Sequence, residues 1–190
     1  LHQKLGRRTS KEKAIEMLRL VRLPDPEKRY YNYPHQMSGG MRQRVMIAMA
    51  LSCEPRLLIA DEPSTALDVS VQAQIMELLL SLREKMQMAV LLITHDLAVV
   101  AQMADRVVVM YAGVVVEEAP LAKLFDRPAH PYTEGLLGSI PKLGSKGERL
   151  QSIEGSVPDP LNLPSGCRFS DRCPKRFDRC AEAEPEMFTV

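Results

Sequence analysis

Two short apolar runs, each ended by chemistry-bearing residues, restrict this chain more than any other feature. Leu57-Leu58-Ile59-Ala60 stops at Asp61-Glu62-Pro63, and Val90-Leu91-Leu92-Ile93 stops at Thr94-His95-Asp96. Between them Val71, Ile75, Leu78, Leu79 and Leu82 recur at helical spacing. Strand, helix, strand in that order requires a crossover, so the two runs are expected to lie parallel in one sheet. Parallel strands are ordinarily covered on both faces, and these are therefore expected to be fully buried. The class this predicts is α/β.

The flanking segments fill in the plan. Thr9 followed by Glu12 predicts a capping box that opens a helix, with Ile15, Leu18 and Val21 inward and Pro24 beyond its end. A tyrosine-rich turn, Tyr30 to Pro34, leads to Ser38, the expected cap of a helix from Gly39 to about Ser52. Leu97 to Ala104 predicts a short helix, and Arg106 to Tyr111 with Val114 to Glu118 predicts a hairpin turning at Ala112-Gly113. From Pro120 onward prolines crowd together and regular patterns thin out. We expect a boundary near residue 119, with residues 119–190 forming a small irregular extension. Residues 1–54 would form a helical part and 55–118 the sheet core of the first domain.

The candidate chemistry sits where secondary structure starts or stops. Ser38-Gly39-Gly40-Met41 opens a helix, where backbone N–H groups and the helix dipole favour an anion such as phosphate. Asp61 and Glu62 end a strand, the place where α/β folds hold ligand chemistry. One carboxylate there can orient Mg²⁺ and its waters while the other polarises a water for attack on phosphorus. His95 ends the neighbouring strand and is expected beside them. Asp68, after Thr65-Ala66-Leu67, suits the cap of the following helix. Each feature alone also fits an ordinary cap, turn or strand end.

Charge and hydropathy narrow the classes of function. With 25 basic against 24 acidic side chains, there is no electrostatic case for nucleic acid as the main partner. The longest uncharged apolar run, Val107 to Val116, is well below the roughly 18 residues a spanning helix needs. Any membrane work would need spanning helices from another subunit.

The order of these elements resembles the ABC-transporter ATPase family along residues 30–118. The likeness runs through Ser38-Gly39-Gly40 as the signature motif, Leu57 to Glu62 as Walker B with its glutamate, Ala66-Leu67-Asp68 as the D-loop and His95 as the switch histidine. The resemblance implies that Asp61 helps hold Mg²⁺, Glu62 activates water and His95 senses the γ-phosphate. It implies that Ser38, Gly39, Gly40 and Met41 touch ATP held by an opposite subunit, with Asp68 at the dimer interface. Two positions depart from the family pattern: Met37 stands where Leu is common, and Met41 where Gln is common. The chain holds no Gly-Lys pair, hence no P-loop of the Gly-x-x-x-x-Gly-Lys-Ser/Thr type. The adenine-stacking and Q-loop residues are likewise expected upstream of residue 1.

Residues 119–190 resemble the C-terminal extension of the oligopeptide/dipeptide branch. The matching stretches are His130-Pro131-Tyr132-Thr133, Leu136-Leu137, Ile153 to Pro158 and Gly166-Cys167 through Cys180. This implies import of di- or oligopeptides, with nickel or other small solutes as uses of close relatives. The implied partners are a second ATPase subunit, two transmembrane permease subunits and an extracytoplasmic solute-binding protein, with the chain peripheral on the cytoplasmic face of the membrane. Cys167, Cys173 and Cys180, spaced C-x₅-C-x₆-C, are expected to ligate a metal, foremost an iron–sulfur cluster (4Fe-4S) whose fourth ligand lies outside the chain. Cys53 is expected to be a buried small hydrophobe. Two rivals are a soluble ABC ATPase without transport and a non-enzymatic docking module built on the cysteine block.

Overall fold

The computed structural model describes residues 5–65, 67–140 and 152–189. Contacts divide the chain into two units, Leu1–Val99 and Val100–Val190.

In the first unit, α1 (Arg7–Leu20) starts earlier than the expected capping box. Its N-cap is Gly6, without a side-chain cap, and the Ser10 N–H bonds the Gly6 carbonyl at 2.9 Å. Arg7 and Arg8 are good helix formers, so the helix continues past Thr9 and stops only at the glycine. The short α2 (Pro26–Arg29) has proline in its first turn, where a missing N–H costs nothing. Then α3 (Gly39–Leu51) starts at Ser38 as expected. Leu18 and Val21 are buried, as are Ile47, Ala48 and Leu51 of α3. The Arg44 guanidinium donates to the Val21 carbonyl at 2.9 Å, satisfying an acceptor left open at the end of α1.

β1 (Leu57–Asp61) and β2 (Ala89–Ile93) pair in parallel, with Leu57 opposite Ala89 and Asp61 opposite Ile93. The connecting α4 (Val69–Met86) buries Ile75, Met76, Leu78, Leu79 and Leu82. Here one expectation fails: the strands are not buried on both faces. β1 alternates, with Leu58 and Ala60 buried while Leu57 and Ile59 are 51% and 59% exposed. Leu91 and Ile93 of β2 are also about half exposed, at 50% and 47%. A crossover helix covers only one side of the pair it joins, and among the described residues this sheet has two strands. α5 (Leu97–Met103) follows β2.

The second unit is built on a hairpin, β3 (Arg106–Tyr111) with β4 (Val114–Pro120). Ala112 and Gly113 both have positive φ, 46° and 86°, as a tight hairpin turn of the mirror-image type requires. Beyond Pro120 the chain is more regular than expected, with α6 (Leu121–Asp126), α7 (Pro131–Gly138) and α8 (Arg179–Glu182). Two of these are too short to show periodicity, and Gly135 and Gly138 weaken the pattern of the third. Val109, Ala119 and Leu124 form a core with Tyr132, Leu136 and Leu137 against it. Phe169, 1% exposed, has its ring centroid 5.1 Å from Tyr111, 5.5 Å from Tyr132 and 5.6 Å from His130. Buried Glu117 accepts N–H bonds from Ala129 at 2.8 Å and His130 at 3.0 Å, which fixes the start of α7.

Candidate functional site

Register decides what meets at the end of the parallel pair. Because Asp61 lies opposite Ile93, the chain leaves both strands at the same level. The Glu62 N–H donates to the Ile93 carbonyl at 2.9 Å, one step beyond the strand. Glu62 has φ of 45°, a left-handed conformation that costs about 1–3 kcal/mol for a residue with a side chain. That turn, with Pro63 buried behind it, aims the carboxylate at the loop after β2. There His95 Nδ1–H donates to Glu62 Oε1 at 2.7 Å, and the Thr65 hydroxyl donates to Oε2 at 3.2 Å. Asp61 is exposed beside them.

The pair is electrostatically matched. The hydrogen bond from His95 holds the Glu62 carboxyl below its ordinary range, and the same bond raises the imidazole above its own. Glu62 is therefore ionised at neutral pH. The His95 side chain is 86% exposed, so it can leave Glu62 for a ligand without breaking a packed core.

At the start of α3, the Ser38 hydroxyl accepts the Met41 N–H at 3.3 Å. The expected phosphate cradle is thus also an N-cap, and the Met41 N–H is occupied by it. Gly40 is required by packing: a Cβ there would lie 2.7 Å from Cγ1 of Val71. At Gly39 a Cβ would lie 3.3 Å from Cδ2 of Leu67. The signature segment and the first turn of α4 therefore touch. Asp68 caps α4, accepting from the Val71 N–H at 2.9 Å and the Ser70 hydroxyl at 2.6 Å. These bonds, that from Ser70 first, hold its carboxyl below the usual range. Ala66 lies outside the described residues.

Sequence reasoning missed two contributors. Asp96 accepts from the N–H groups of Ala98 at 2.9 Å and Val99 at 3.3 Å, so it caps α5 directly after His95. Gln72 reaches the same carboxylate from α4 at 3.0 Å. An Asp immediately before a helix is a visible cap signal; a long-range contact from Gln72 leaves none.

The cysteines divide differently. Cys53 is exposed, not buried, because it sits in the turn past α3 between Ser52 and Glu54, whose φ is 52°. In the second unit Cys167 N–H donates to the Cys180 carbonyl at 2.8 Å. Gly166 makes this approach possible, since a Cβ there would lie 2.3 Å from the Cys180 carbonyl oxygen. Burial pushes the Cys173 thiol up, with smaller upward contributions from Cys167 and Cys180. All four thiols are free. Among the described residues no three His, Cys, Asp or Glu side chains are placed to hold a metal ion, so the expected centre does not fit this arrangement.

Comparison with known proteins bears on the family and the fold. Residues 2–65 match the ABC transporter family, and residues 116–180 match the oligopeptide/dipeptide transporter C-terminal region. The oligopeptide transport ATP-binding protein AppD of Bacillus subtilis is 54% identical over 188 residues, 99% of this chain and 57% of that protein. The dipeptide transport ATP-binding protein DppD of Haemophilus influenzae is 52% identical over 189 residues, 100% of this chain and 57% of its own length. The chain thus spans a little over half of the curated relatives it matches. Among solved structures, an ATP-binding cassette of an ABC transporter in its ADP conformation superposes with a TM-score of 0.54 at 26% identity, over 62% of this chain and 46% of that one. A dimeric bacterial ABC transporter cassette gives 0.52 at 36% identity, over 62% and 49%. The superposed part of the chain has the fold of an ABC ATPase cassette, and the chain belongs through residues 2–65 to the ABC transporter family and through residues 116–180 to the oligopeptide/dipeptide transporter C-terminal region.

Proposed function

We propose that the chain is the signature- and Walker-B-bearing part of a subunit that hydrolyses ATP to drive import of di- or oligopeptides. The observation that carries this is the 2.7 Å contact of His95 with Glu62 at the mouth of a parallel pair. An ionised carboxylate held by an exposed imidazole is suited to orient a water for attack on a γ-phosphate. The chain's residues then divide the work. Glu62 accepts the water's proton, and His95 moves its N–H from Glu62 toward the γ-phosphate. Asp61, exposed at the end of β1, would hold Mg²⁺, which when bound neutralises phosphate charge. Gly39 and Gly40 present N–H groups at the positive end of α3 to ATP of an opposite subunit, with Ser38 and Met41 shaping that end and Asp68 beside the interface.

Under this reading residues 1–118 are the C-terminal portion of the ATPase domain and 119–190 the peptide-branch extension. The partners are a second ATPase subunit, two permease subunits and a solute-binding protein, with the chain peripheral on the cytoplasmic face. Among the described residues no helix is long and apolar enough to cross a membrane. The iron–sulfur centre rests on the spacing of Cys167, Cys173 and Cys180 alone, and no step runs through it. Iron and sulfide analysis of anaerobically purified complete protein decides that point.

The test is labelled-dipeptide uptake into vesicles holding the complete transporter. Asp61→Asn should lower both uptake and ATP turnover and raise the Mg²⁺ concentration needed for half activity. Unchanged uptake would remove the transport assignment.

A further inference from the structure

The pair that the proposed function uses stands on a turn whose anchor has no part in that account. Asp96 organises the turn: its N–H donates to the Thr94 hydroxyl at 3.1 Å, and its Oδ1 accepts the Ala98 and Val99 N–H groups. Its other oxygen, Oδ2, is taken by the Gln72 amide, which donates at 3.0 Å from the first turn of α4. Both partners of this bond are partly buried. Gln72 itself stands on firm ground, because its neighbour Val71 is held twice. The Val71 N–H is capped by Asp68 at 2.9 Å, and its side chain lies close under Gly40.

His95 is the residue immediately before Asp96, and its side chain is largely exposed, so packing does not set its direction. What sets it is the backbone of the turn. We infer that Gln72 is a positioning residue: by tying the Asp96 carboxylate to α4, it holds the Thr94–Asp96 turn where His95 meets Glu62. This rests on the reading of Glu62 and His95 as the hydrolytic pair.

The chemistry allows a sharp test, because changes at this bond need not disturb the fold. In Gln72→Glu the new carboxylate lies near the N-terminus of α4, where the helix dipole favours it. It also faces the Asp96 carboxylate at hydrogen-bond distance, and like charges there repel. Asp96→Asn keeps an oxygen for the α5 cap and offers an N–H where Oδ2 stood. Alone it is tolerated, since the Gln72 amide turns over to accept. Combined with Gln72→Glu it restores a donor–acceptor pair with the roles exchanged.

The experiment is steady-state ATP turnover by the complete transporter carrying each variant, with Glu62→Gln in the same series. Gln72→Glu and Gln72→Leu should lower kcat about tenfold, the scale of one lost positioning hydrogen bond, with KM for ATP within about twofold of the parent. The Gln72→Glu/Asp96→Asn double variant should recover kcat to within about twofold of the parent, and thermal unfolding of all four should match it. The inference is overturned if Gln72→Glu and Gln72→Leu keep the parental kcat while Glu62→Gln is inactive. It also falls if the double variant recovers nothing, if only KM moves, or if the unfolding temperature drops with the rate. Glu62→Gln turning over at the parental rate would instead remove the hydrolytic reading beneath it.

Discussion

The Glu62–His95 turn and the cysteine loop both gather reactive side chains, but they are held by opposite means. In the first unit, strand register delivers two exposed groups to one level, and a single 2.7 Å hydrogen bond joins them. In the second, the backbone around Cys167–Cys180 closes on itself and rests on Phe169, buried among Tyr111, Tyr132 and His130. Regular backbone pairing can leave its working side chains free to move. An irregular loop must purchase its shape with buried aromatic packing, and its thiols are correspondingly half-buried. The difference teaches that a change in the first region should alter rate, whereas one in the second should alter folding.

Phe169→Ala should have the largest effect on stability, about 3–5 kcal/mol, as for other buried Phe truncations. Thermal unfolding of the complete protein should show the loss. An unchanged transition would mean that the cysteine loop is not held by this ring, and the contrast would fail. Gly40→Ala comes next, because a Cβ 2.7 Å from Val71 overpacks the contact by an amount worth about 1–3 kcal/mol. Adding Val71→Ala removes the opposing methyl and should restore stability. If the double variant regains stability but not turnover, Gly40 also serves the phosphate directly.

The smallest effect concerns pH. The Glu62–His95 ion pair exists between two limits. It is lost as pH falls through the lowered Glu62 value, and lost again as pH rises through the raised His95 value. Titration of His95 by NMR in the ATP-free protein should therefore give a midpoint above the ordinary 6.5 of histidine, falling toward it in Glu62→Gln. A midpoint indifferent to Glu62 would show that the pair is not formed in solution.

Legibility in the sequence follows the same division. The α/β class, the parallel pairing and the junction of Glu62 with His95 were readable because apolar runs ended abruptly in polar and charged residues. Ser38 and Asp68 were readable as caps because capping is a local interaction. The start of α1 was misplaced because Thr9 and Glu12 imitate a box that good helix formers upstream override. Burial of the strands was overestimated because a run of apolar residues does not reveal how many faces are covered. Gln72, Phe169 and Arg172 were invisible. Arg172 donates to the carbonyls of Glu154 at 2.9 Å and Ile153 at 3.0 Å, contacts that exist only once the chain has folded.

The central claim is that Glu62 is the group that activates water for ATP hydrolysis. The most direct measurement is single-turnover hydrolysis by the complete ATPase subunit, parent against Glu62→Gln, with ATP binding measured in the same samples. Glutamine keeps the size of the side chain and can still hydrogen-bond, but it cannot take a proton, so the rate should fall about 10²–10⁴-fold. ATP affinity should stay near that of the parent, and the variant should accumulate as an ATP-loaded dimer. Hydrolysis by Glu62→Gln at a rate near that of the parent would contradict the account.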